Sequence, residues 1–285
     1  MAVGDTLSEK GLTDDRLIRQ YLAAQEQLIR IIERADPTSD FRRYRVEQAR
    51  AIDAVLVRLG AKTRAWTDAE VRKLFTAGTT ETRDQIRKLG EAQFAVRFAG
   101  VNEAAVKILT ADAALEFGRT MAFMKADAQR GLIDKRKIQE EITSGVISGQ
   151  SVARTQKQLV AQFRGRGITV TKTRNGFGRR INVETYANML VRTQSMTAYN
   201  LGARDTLLGA GRRFAVFPTI RPDIDGEDIC NEWERKKYVD LLKDPLPPAS
   251  THPNCRHRVL PVSFEELKAE RPDLYRLALD HWRAR

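Results

Sequence analysis

Apolar residues recur close to every 3.6 positions through the first half of this 285-residue chain, the signature of amphipathic helices. Thr13-Asp-Asp opens the first, with Leu17, Ile18, Tyr21, Leu22, Leu28, Ile29 and Ile32 along one side and Pro37 as its stop. Ile52, Val55, Leu56 and Leu59 form an i, i+3, i+4, i+7 set that predicts a second helix ending at Gly60. Thr67-Asp-Ala-Glu70 reads as a capping box starting a short third helix that ends near Gly78. From Thr80 to Arg130 one or two further helices follow, interrupted around Gly100-Val-Asn102. Their many apolar residues, among them Ile86, Phe94, Phe98, Leu109, Phe117, Met121 and Phe123, exceed a narrow coiled-coil seam and mark core.

Gly131 to Asp134 reads as a boundary. Beyond it the pattern predicts helices over 135–144 and 150–163, with a turn at Gly145 between them. The period then changes. Ile168-Thr-Val-Thr-Lys-Thr173 alternates and is β-branched, Asn175-Gly176 is a tight-turn pair, and Arg179-Arg-Ile-Asn-Val183 returns, which together predict a β-hairpin with an arginine-rich tip. A helix over 184–208 with Leu190, Val191, Met196 and Leu201 inward precedes a short strand, Phe214-Ala-Val-Phe217. Ser263-Phe-Glu-Glu266 caps a small helix broken by Pro272, and the chain closes on a basic turn containing Trp282. The expected class is α+β, predominantly α-helical. Three regions are expected: a helical part over 1–130, a smaller mixed domain over 131–262, and a helical tail over 263–285.

Composition sharpens this picture in two places. No apolar run approaches the ~20 residues a membrane-spanning helix needs, and Met1-Ala-Val-Gly-Asp-Thr lacks the basic and apolar regions of a signal peptide, so synthesis in the cytoplasm is expected. The formal net charge is +12 and the isoelectric point about 9.9, which favours polyanionic partners. The charge is also uneven. Between Ile142 and Val183 there is no acidic residue, while Arg164, Arg166, Lys172, Arg174, Arg179 and Arg180 lie inside, making the segment 142–183 a candidate DNA-contacting surface. A solvated basic face packed beside acidic neighbours is the competing reading.

Candidate chemistry concentrates near the end. Of the chain's two cysteines and three histidines, four of the five fall between 230 and 257: Cys230, His252, Cys255 and His257. Thiolate and imidazole bind zinc and similar ions, and His252-Pro-Asn-Cys-Arg-His257 places three donors in one turn-like hexapeptide, with Cys230 as a fourth returning from a distant strand end. The same residues also suit a knot of loops without metal, in which histidines bond to carbonyls around buried thiols.

Taken in order, Gly145-Val-Ile-Ser-Gly-Gln150, Arg192-Thr193, Tyr199-Asn-Leu-Gly202, the strand at Phe214, Asp228-Ile-Cys230 and His252-Pro-Asn-Cys-Arg256 resemble the phage minor head protein family, the Mu F-like head morphogenesis and minor capsid proteins of tailed bacteriophages. The likeness covers roughly 140–262. It departs where that family often carries C-x2-C against Cys230-Asn-Glu-Trp233 here, and C-R-C against Cys255-Arg-His257, so His257 stands where a thiolate would be. The resemblance implies a minor structural component of the virion, assembled in the host cytoplasm, that meets portal and capsid proteins at the portal vertex and faces packaged DNA. It also implies that Arg192 anchors its helix onto the knot by bonding a carboxylate or carbonyls.

Catalytic motifs are missing from the sequence. There is no G-x-S-x-G, no phosphate-cradling glycine loop and no H-E-x-x-H. The alternative reading is a metal-assisted nuclease or other hydrolase using His252, His257 and the carboxylates of Asp223, Asp225, Glu227 and Asp228. It lacks an evident general base, so a non-enzymatic role is expected.

Overall fold

The computed structural model describes residues 15–34, 41–90, 101–146, 168–174, 177–217, 229–247, 255 and 257–284. Three long helices come first: α1 (Asp15–Arg34), α2 (Phe41–Lys88) and α3 (Glu103–Val146). A hairpin of β1 (Thr169–Arg174) and β2 (Phe177–Asn182) leads directly into α4 (Val183–Gly209). Then come β3 (Phe214–Val216), α5 (Ile229–Lys236), β4 (Tyr238–Asp240), β5 (Leu260–Pro261), α6 (Phe264–Glu270) and α7 (Pro272–Arg283). The fold is α+β and predominantly helical, with a three-stranded antiparallel sheet in the order β4-β3-β5 beside the separate hairpin. No helix among the described residues is long and apolar enough to cross a membrane.

Two sequence expectations about helix ends are overturned. Gly60 and Gly78 do not stop helices; both lie inside α2, a single helix of 48 residues. A glycine ends a helix by adopting positive φ, and the glycine that does so here is Gly90, at φ 73°, two residues past Lys88. Thr67 is fully buried within the same helix, so the Thr67–Glu70 capping pattern opens nothing. Helix α3 runs on through Gly131–Asp134 to Val146. The break before α3 is real: Asn102 caps it, its Oδ1 accepting the Ala105 N–H at 3.1 Å. The hairpin and α4 appear where the pattern put them, with Phe177 and Gly178 inside β2. The helices expected over 150–163 and the Pro37 stop lie outside the described residues.

By contacts the chain forms two units, each gathered from separate stretches of sequence. One contains 14–66 and 114–188. Here Tyr21, Trp66 and Phe117 are buried, with Tyr21 6.1 Å and Trp66 5.7 Å from Phe117 between ring centroids. The hairpin belongs to this unit, and its register pairs Thr169 with Asn182 and Val170 with Ile181.

The other unit contains 67–113 and 189–285. Its main core joins Ile86 of α2, Ala203 and Leu207 of α4, Ala215 of β3, Val239 of β4 and Val259. A second cluster packs Phe214, Tyr238 and Val262 against Leu267 of α6 and Ala278 of α7. Burial of this kind contributes roughly 1.5–3 kcal/mol for each large apolar side chain. Helix α4 ends in a Schellman turn: Arg212 N–H reaches Leu207 O at 2.8 Å, Gly211 N–H reaches Leu208 O at 2.9 Å, and Gly211 holds φ 75°. Trp282 of α7 lies over Gly211, where an added Cβ would meet its ring. Ser263 caps α6 as its sequence predicted, accepting the Glu266 N–H at 2.9 Å. Pro272 both breaks α6 and occupies the first turn of α7.

Candidate metal centre and the helix that holds it

Cys255 and His257 lie two positions apart, just ahead of β5. Their side chains meet with Cys255 Sγ 3.2 Å from His257 Nδ1, both buried at 3% and 5% exposure. On the far side of the ring, His257 Nε2 lies 2.7 Å from Glu234 Oε1. A carboxylate accepts, so the neutral imidazole carries its proton on Nε2 and turns the Nδ1 lone pair toward the sulfur. Burial opposes the charged imidazolium, but the bonds to Cys255 and Glu234 outweigh it and hold His257 above its ordinary pKa. Phe217 closes the ring's flank edge-on at 6.2 Å, and Trp233 stands edge-on to Phe217 at 5.8 Å.

Helix α4 fixes this segment through three consecutive features of Tyr199-Asn-Leu-Gly202. Asn200 is fully buried, and its Nδ2 donates to Pro247 O and to His257 O, each at 2.9 Å. Its Oδ1 accepts the Val259 N–H at 3.1 Å. Two carbonyls facing one end and an N–H facing the other leave no alternative amide orientation. Tyr199 is buried beneath Arg258, whose guanidinium lies 5.5 Å over the ring and 3.8 Å from Glu81 Oε1. Burial first, then Glu81, pushes the Tyr199 phenol well above its ordinary pKa, keeping it a neutral hydrogen-bonding group. Gly202 lets the helix approach the backbone of α2 at Phe75.

Of the expected donors, Cys255 and His257 are brought together. Cys230 lies in the first turn of α5, on a helix rather than at a strand end, one turn before Glu234. His252 lies outside the described residues, as do Asp223, Asp225, Glu227 and Asp228. Among the described residues no three His, Cys, Asp or Glu side chains converge on one ion position. Sequence reasoning missed Glu234, although Cys230-x3-Glu234 has the i, i+4 spacing of one helix face. It missed the helix itself because its residues carry more charge than apolar pattern.

Arg192 is half-buried on α4, and a carboxylate or carbonyl partner for it is not found among the described residues. Arg164 and Arg166 lie outside them. In the hairpin, Lys172 stands directly opposite Arg179, Thr171 opposite Arg180 and Arg174 opposite Phe177. Strand alternation therefore places positions 172, 174 and 179 on one face and 180 on the other.

No family model, no curated protein and no solved structure matches this chain.

Proposed function

We propose that the chain is a structural minor head protein of a tailed bacteriophage, seated at the portal vertex and contacting packaged DNA. The observation that carries this reading is the placement of Asn200. A single buried amide of the Tyr199–Gly202 motif bonds to Pro247, His257 and Val259, which flank the His252–Arg256 motif in the sequence. Those three bonds fix backbone, which is what a scaffold requires.

The burial of Cys255 and His257 favours this role over the hydrolase reading. Both His257 ring nitrogens are engaged, by Cys255 and Glu234, behind Phe217. A general base needs access to water and substrate, which that arrangement withholds.

Co-expression with a cognate portal protein tests the reading. The two are expected to co-migrate in size-exclusion chromatography, and heads lacking this chain are expected to lose infectivity. Failure to associate, together with fully infectious heads in its absence, would overturn the assignment. DNA cleavage that depends on a divalent ion and disappears in His257→Ala would replace it with the hydrolase.

A further inference from the structure

The head-protein reading leaves the buried Glu234–His257–Cys255 chain unused. We propose that Cys255 Sγ and His257 Nδ1 are two ligands of a structural zinc-class ion, and that Glu234 is the carboxylate that positions the imidazole for it.

Three observations support this. The first is direction: a zinc-binding histidine ordinarily donates its other ring N–H to a carboxylate or carbonyl, which fixes the tautomer and raises the basicity of the ligating nitrogen. Glu234 Oε1 at 2.7 Å from Nε2 does this, and the nitrogen left over faces a sulfur. The second is spacing. Sulfur about 2.3 Å and nitrogen about 2.0 Å from a tetrahedral ion stand about 3.5 Å apart. The observed 3.2 Å is a few tenths short, a difference that a small rotation of the thiol removes. With an ion present the thiol proton is released, and sulfur binds as thiolate.

The third is chemical class. One sulfur and one imidazole nitrogen select a borderline or soft ion over magnesium or calcium, which take oxygen. The surroundings are dry: Phe217 flanks the ring and Cys255 is buried, so a bound ion would have little contact with solvent and would serve folding.

The test uses the full chain, freed of metal with a chelator and titrated with Co2+ as a spectroscopic substitute for Zn2+. A thiolate–cobalt charge-transfer band in the near ultraviolet is expected, with about one equivalent bound and displaced by Zn2+. Cys255→Ser should abolish the band. Glu234→Gln keeps size and a hydrogen-bonding oxygen but loses the charge, and should weaken affinity by about 10–100-fold while the band persists. His257→Cys supplies a second thiolate and should intensify the band, which keeps the proposal testable if Cys255→Ser fails to fold. Less than about a tenth of an equivalent bound by well-folded protein overturns it, as does a band unchanged in Cys255→Ser. Unaltered affinity in Glu234→Gln removes Glu234 from the site. None of these outcomes depends on portal association.

Discussion

Gly78 of α2 and Gly202 of α4 sit at one crossing, each against the other helix's backbone. A Cβ at Gly78 would fall inside 3.0 Å of the Tyr199 carbonyl oxygen, and one at Gly202 would do the same to the Phe75 carbonyl. Tyr199 lies one turn before Gly202 and Phe75 one turn before Gly78, so the contact is nearly symmetric. Thr79 Oγ1, which bonds to Phe75 O at 3.0 Å, also reaches Gly202 O at 3.4 Å. The obstacle to any side chain here is backbone, which cannot swing aside as a long side chain can. Gly78→Ala and Gly202→Ala should each destabilise by roughly 2–3 kcal/mol, the upper part of the overpacking range. The double variant should cost less than the sum, since one displaced crossing relieves both clashes. Urea unfolding of the three variants measures this, and additive losses would show two independent contacts.

The same crossing sets where Asn200 points. Removing its amide leaves Pro247 O, His257 O and the Val259 N–H without that partner inside the protein, and Asn200→Ala should cost roughly 3–5 kcal/mol. Asn200→Asp should be worse, because it sets a carboxylate against two carbonyl oxygens. Loosening of the segment has its own signature: in a Cys230→Ser background, Cys255 should react much faster with a thiol reagent once Asn200 is replaced. A stability loss with Cys255 still protected would place the damage elsewhere.

The two halves of that arrangement were unequally legible in the sequence. The 3.6-residue period located α1 and α4, and the alternation around Asn175-Gly176 located the hairpin, because both follow from local pattern. Gly60 and Gly78 misled because a helix-ending glycine and a close-packing glycine look alike until the facing element is known. Gly90, the real terminator, carried no stronger local signal than they did. Glu234 was invisible for a related reason: its partner His257 lies 23 residues away, and a carboxylate in a charged octapeptide reads as a solvated face. The cysteine–histidine pairing was legible from composition, but not the carboxylate that orients it.

Acid should reveal a second fixture of the same unit. Asp240 is partly buried, which opposes its charge, yet Arg213 holds its carboxyl below the ordinary value through bonds from Nε at 3.1 Å and Nη2 at 2.7 Å, joined by the Leu242 N–H. A carboxyl with a depressed folded pKa stabilises fully above its unfolded pKa, about 3.9 for aspartate, and loses that contribution as pH falls through the folded value. The melting temperature should therefore fall as pH drops below about 4. Arg213→Met should be less stable near neutral pH and show a shallower acid decline. Parallel pH profiles for the two proteins would mean that other carboxylates govern the acid limb.

The hairpin carries the DNA prediction, and its register makes it specific. Position 172 pairs with position 179, and strand alternation puts position 174 on the same face. If these three side chains engage duplex phosphates, they should contribute about −2.7 to the slope of log K against log salt, with no dependence on base sequence. Replacing Lys172, Arg174 and Arg179 together by Thr, a good strand former, should flatten the slope by that amount and leave the hairpin in place. Arg180→Thr, on the other face, should leave the slope nearly unchanged. Equal losses from both faces would show that net charge alone attracts DNA. A slope untouched by the triple variant would assign the basic hairpin to an acidic protein surface instead.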